Sequence, residues 1–134
     1  MSVDSQHVVL RLKGAKIITH NFKKMTLKDM QKAVDQWIKS VGNGYFSELT
    51  NMALLTEETG ELARVIARVY GDQKPKPGDL TDPKENLKEE IADVLWVLTC
   101  IANQTGIDLQ EAFDTTVAKK SKRDRNRFKS VSKE

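Results

Sequence analysis

The chain has 134 residues, enough for one domain with a real core but with the high surface fraction of a small protein. Its apolar share of 39% is ordinary, and 22 Lys and Arg against 19 Asp and Glu leave a net charge of only +3, a field too weak to indicate a specific nucleic-acid binder. No stretch approaches the ~20 apolar residues of a membrane span, the start lacks a basic region followed by an apolar run, and the lone Cys100 excludes an internal disulfide, so a soluble protein of a reducing cytoplasm is expected.

Along the chain, Val8, Leu10 and Leu12 alternate with Val9, Arg11 and Lys13 in strand-like fashion, but no second strand pattern exists to pair with them. Residues 1–25 are therefore expected to form a flexible arm, which carries both histidines, His7 and His20. Thr26 and Asp29 read as a capping box for a first helix that carries Leu27, Met30, Val34, Trp37 and Ile38 and ends near Gly42. A second helix is expected from Ser47 to Tyr70, stopped by Gly71. The stretch from Asp72 to Thr81, with Pro75, Pro77 and Gly78, reads as a loop, after which Asp82 and Pro83 supply the N-cap and first-turn proline of a third helix ended by Gly106. Asp108 and Glu111 open a fourth helix through Ala112, Phe113 and Val117, which fades into a basic stretch where only Asp124 interrupts the lysines and arginines. With no repeat and no sheet, the expected class is all-α, a four-helix domain over 26–128 followed by a basic tail at 129–134.

The second and third helices carry acid where a plain bundle would carry hydrocarbon. At about 100° per residue, Leu54, Leu55, Leu62, Val65, Ile66 and Val69 share one arc, with Glu58 in its middle and Glu61 at its edge. On the third helix Leu87, Ile91, Val94, Val97, Leu98 and Ile101 form the apolar arc, Glu90 lies inside it, and Asp93 sits at its border beside Asn86 and Gln104. Glu57, Arg64, Arg68 and Glu89 face outward and read as surface positions. Ionised carboxylates in an apolar seam are costly unless paired or bound to a cation, so two such helices facing each other call for positive charge, which a metal would supply. Four hard oxygen donors without thiolate or imidazole suit magnesium or manganese better than zinc, with room for one or two ions.

As text, Glu57-Glu58-Thr59-Gly60-Glu61 and Glu90-Ile91-Ala92-Asp93 form an EExxE and ExxD pair. With the surrounding LTEETGELA and ADVLWVL segments and the Thr105-Gly106-Ile107-Asp108 turn, the chain resembles the MazG-like nucleoside triphosphate pyrophosphohydrolases, relatives of the all-α dimeric dUTPases, over roughly Thr26 to Phe128. The resemblance implies a bundle completed by dimerisation, as a homodimer or homotetramer, and hydrolysis of a nucleoside or deoxynucleoside triphosphate to the monophosphate and pyrophosphate. It implies that Glu58, Glu61, Glu90 and Asp93 hold Mg2+, with Mn2+ as a substitute; Glu57, the remaining acidic neighbour, is read as joining Glu61 in catalysis by orienting the attacking water, with a solvated surface position as the alternative. Lys120, Arg123 and Arg127 recur at spacings of three and four, and the resemblance assigns them to the substrate phosphates.

Trp37 and Trp96 offer faces on which a nucleobase could stack, but packing is the stronger reading. Trp37 sits in the apolar periodicity of its helix, and Trp96 projects away from the main arc, as expected of a residue at a subunit interface. A di-iron carboxylate bundle is disfavoured because no histidine follows His20 to complete Glu-x-x-His pairs. The alternative is a non-enzymatic helical interaction module whose acidic pairs are salt-bridge partners and whose tail meets anions.

Overall fold

The computed structural model describes residues 25–78 and 82–127; the expected arm up to residue 24 and the tail from residue 128 lie outside the described residues. Four helices follow in order: α1 (Leu27–Ser40), α2 (Glu48–Val69), α3 (Pro83–Thr105) and α4 (Leu109–Asp124). Each starts where a short polar side chain accepts from an otherwise unpaired backbone N–H. Thr26 Oγ1 accepts from Asp29 N at 3.1 Å while Asp29 Oδ2 accepts from Thr26 N at 3.1 Å, which is the expected capping box. Ser47 accepts from Thr50 N, Asp82 from Lys84 N and Glu85 N ahead of Pro83, and Asp108 from Gln110 N and Glu111 N. At the far end of α3, Gly106 takes φ +70°, a left-handed C-cap that side chains with a Cβ rarely adopt.

α2 and α3 form the principal pair, α1 lies on α3, and α4 contacts α1. The pair is antiparallel, because Asn51 at the start of α2 donates to Gln104 at the end of α3 (2.6 Å), whereas Arg64 late in α2 meets Glu90 early in α3 (4.0 Å). Val34, Val65, Val97, Cys100 and Ala102 are the buried apolar residues, a small core for four helices. Phe46, Leu49, Met52, Tyr70 and Phe113 are each more than half exposed.

The α1–α2 connection folds tightly against α1. Gly42 N and Val41 N both donate to Trp37 O, and a Cβ added at Gly42 would stand 3.0 Å from the Trp37 ring, so a glycine lets the chain close over the indole. Trp96, half-buried, meets Trp37 edge to face, with centroids 5.2 Å apart and an interplanar angle of 86°. The arc drawn for α3 pointed toward α2, and α1 takes a second face of the same helix.

Candidate active site

Antiparallel packing sets the acidic stripe of α2 against that of α3. One oxygen from each of Glu58, Glu90 and Asp93 can be chosen so that all lie within 4.8 Å of one another. The Glu90 side chain is only 13% exposed. Burial first, then the charges of Asp93, Glu61, Glu57 and Glu90, raise the Glu58 pKa above its ordinary value. Burial and then Glu61 do the same to Glu90, with Arg64 working in the opposite direction. Like charges thus converge in a partly desolvated seam, and the group contains neither thiolate nor imidazole. Such a donor set fits a hard divalent cation. Asn86, one turn before Glu90, adds a buried Oδ1 with no hydrogen-bond partner, a further oxygen on the same side of α3.

Glu61 borders this group rather than completing it: its carboxylate turns to Arg64 Nη2 at 3.3 Å, although its charge reaches Glu90. Glu57 is exposed, and its charge is felt at Glu58. Arg64 is exposed, as expected of a surface residue, and also reaches toward both acidic stripes, 3.3 Å from Glu61 and 4.0 Å from Glu90. The spacing of Glu61 to Arg64 was the available signal in the sequence; the approach to Glu90 needed the neighbouring helix.

The basic residues are placed differently from one continuous helical face. Lys120 and Arg123 lie on α4, but the helix ends at Asp124 and Arg127 follows in a turn, its backbone N–H bonded to Asp124 O. Asp124 also draws in the side chains: Arg123 donates from Nε at 2.9 Å and from Nη2 at 2.6 Å, and Arg127 Nη1 stands 3.4 Å away. These contacts hold the Asp124 carboxyl below its usual range, with Lys120 contributing charge.

No described helix is long and apolar enough to cross a membrane. The description "MazG nucleotide pyrophosphohydrolase domain" matches residues 46–128, the span that holds both carboxylate stripes and α4. The uncharacterized protein YpjD of Bacillus subtilis (strain 168) is 47% identical over 103 residues, covering 77% of this chain and 90% of that protein. YvdC of the same organism is 29% identical over 103 residues, covering 74% and 96%. Among solved structures, a Bacillus-conserved MazG protein described as a nucleotide pyrophosphohydrolase superposes with a TM-score of 0.61 at 42% identity, over 72% of this chain and 90% of that one. YPJD from Bacillus subtilis gives 0.64 at 45% identity, over 72% and 96%. The family match favours the hydrolase reading over the interaction-module alternative. With its paired acidic helices in an all-α frame, the chain belongs to the MazG nucleotide pyrophosphohydrolase family and is a hydrolase acting on nucleotides.

Proposed function

We propose that the protein hydrolyses a nucleoside or deoxynucleoside triphosphate at the anhydride between the α and β phosphates, releasing the monophosphate and pyrophosphate. The observation that carries this reading is the convergence of Glu58, Glu90 and Asp93 within 4.8 Å in a seam that raises two of their pKa values. These three residues, with Glu61 from the next turn of α2, are the assigned holders of Mg2+, or of Mn2+ in its place. A bound divalent cation would neutralise and align the polyphosphate and make a water more acidic.

The chain's own groups supply the rest. Glu57, exposed beside Glu58, is assigned to orient the attacking water and take its proton, while the water oxygen bonds to the α phosphorus and the bond to the bridging oxygen breaks. Glu61 shares that catalytic assignment by the family resemblance, its half-exposed carboxylate lying 3.3 Å from Arg64 Nη2. Lys120, Arg123 and Arg127 are assigned to the departing phosphates, for which Arg123 and Arg127 must exchange Asp124 for substrate oxygens. The setting is the cytoplasm, in keeping with the free, buried Cys100 thiol. The assembly is a homodimer or homotetramer, supported by the exposed Phe46, Leu49, Met52 and Phe113.

Product analysis tests the reaction. Incubation of metal-replete protein with a panel of triphosphates is expected to yield monophosphate and pyrophosphate in equal amounts, and chelation to stop it. Diphosphate with orthophosphate as the products would overturn the assigned bond cleavage.

A further inference from the structure

Asn86 carries a polar atom that the fold leaves without a partner. The residue is only half-buried, so solvent stands within reach of its amide, yet its Oδ1 is turned inward, buried, and meets no donor among the described residues. A buried acceptor without a donor costs free energy, and asparagine within a helix has poor intrinsic propensity besides. Nothing local offsets that cost. The Asn86 backbone N–H is bonded to Asp82 O at the start of α3, and Arg64 turns its Nη2 to Glu61 and Glu90.

The place of Asn86 points to the acidic seam. Asn86, Glu90 and Asp93 follow one another at spacings of four and three, so they share one stripe of α3, whose last two members converge with Glu58 of α2. One helical turn separates Asn86 from Glu90, a rise of about 6 Å. Direct coordination of Mg2+ needs an oxygen at about 2.1 Å, whereas a cation-bound water, with its own hydrogen bond, extends the reach to about 5 Å. Mg2+ usually keeps several waters in a protein site. We propose that Asn86 is a positioning residue of this site: its Oδ1 accepts a hydrogen bond from a water on the cation held by Glu58, Glu90 and Asp93. A neutral amide suits that task, because it supplies an acceptor without adding another negative charge to carboxylates that already repel one another. It gives the buried oxygen the donor that the protein itself does not.

This assignment rests on the cation site of the proposed function, and the test separates the two. Asn86→Leu removes the acceptor, whereas Asn86→Asp keeps an oxygen there and adds charge; both are compared with wild type as full-length chains. In chelator, Asn86→Leu should melt at or above the wild-type temperature, since a buried unpaired oxygen is gone. A clear loss of stability would instead assign the amide to the fold and sink the proposal. Calorimetric titration with Mn2+, in the presence of a non-hydrolysable triphosphate analogue, should show binding about tenfold weaker for Asn86→Leu and no weaker for Asn86→Asp. Weaker binding by both variants would mean that Asn86 acts through its Nδ2, as a donor to a carboxylate, and the acceptor role would be wrong. Water-proton relaxation at the bound Mn2+ should count the same number of coordinated waters in Asn86→Leu as in wild type; one additional water would make Asn86 a direct ligand and contradict the water-mediated role. Affinity for Mn2+ unchanged in Asn86→Leu would overturn the proposal and leave the cation site standing. Absence of Mn2+ binding by the wild-type chain would remove the cation site itself, and this assignment with it.

Discussion

The two ends of α3 handle polar groups in opposite ways. Near its C-terminus the amides of Gln31 and Asn103 are fully engaged: Gln31 Nε2 donates to Asn103 Oδ1 (3.0 Å) and Ile107 O (2.8 Å), its Oε1 accepts from Leu109 N (2.9 Å), and Asn103 Nδ2 donates to Gln31 O (3.0 Å) and Tyr45 OH (3.1 Å). The chain closes on Asp35, and burial, followed by the Asp35 contact among its neighbours, pushes the Tyr45 pKa up to about 12. Nothing from outside is needed there. About three turns earlier, Glu90 and Asp93 face Glu58 with like charge, Asn86 Oδ1 has no partner, and Arg64 reaches Glu90 only at 4.0 Å. A satisfied network ties α1, α3 and α4 together, whereas the acidic end leaves like charges facing one another, the place where the proposed cation would supply the missing positive charge.

That contrast is broken most severely by neutralising the acidic end. Glu90→Gln or Asp93→Asn should lower turnover by about a hundredfold or more, since each deletes a charged oxygen but keeps side-chain shape. The metal-free Glu90→Gln protein should melt higher than wild type, because a repelling charge is gone from a nearly buried position. Steady-state kinetics and thermal melts in chelator check both. At the other end the signs reverse: Asn103→Leu should cost about 1–3 kcal/mol, leaving Gln31 and Tyr45 short of a partner, with little effect on metal affinity. Denaturant melts and calorimetry separate those effects.

Acid titration sharpens the comparison further. Glu58 and Glu90 have pKa values raised above 4.5, so their repulsion is absent below that value and sets in as pH rises through their folded pKa values; metal-free protein should gain stability on acidification toward pH 4.5. Asp35 and Asp108 are held below 3.8, by Lys39 and by the Glu111 backbone N–H respectively, so their contribution is present above 3.8 and lost as pH falls further. The melting temperature should pass through a maximum between these ranges, and Glu58→Gln should flatten its upper side. The smallest effect is expected at Arg64: Arg64→Gln should tighten cation binding by no more than about fivefold, because the pair with Glu61 is half exposed.

Helix starts were legible in the sequence because a cap acts on its own next turn. Thr26, Ser47, Asp82 and Asp108 stand where the polar-before-periodic pattern put them. The facing of Glu58 with Glu90 and Asp93 was legible for a similar reason: acid inside an apolar arc points inward whichever helix lies opposite. What periodicity cannot carry is the identity of a distant partner. Trp96 meets Trp37 through a second face of α3, and Gln31 finds Asn103 across 72 positions, pairings that depend on how α1 settles on α3. Arg127 left the expected face because the helix stops at Asp124, an end without a glycine to announce it.

The central claim is that the α2–α3 seam holds a divalent cation. Isothermal calorimetry with Mn2+ on chelator-stripped protein, in the presence of a non-hydrolysable triphosphate analogue, tests it without relying on turnover. Saturable binding by the wild-type chain, lost in Glu90→Gln while the variant keeps its helical signal, is the predicted result. Binding by Glu90→Gln as tight as wild type, or no binding by the wild-type chain, would contradict the assignment.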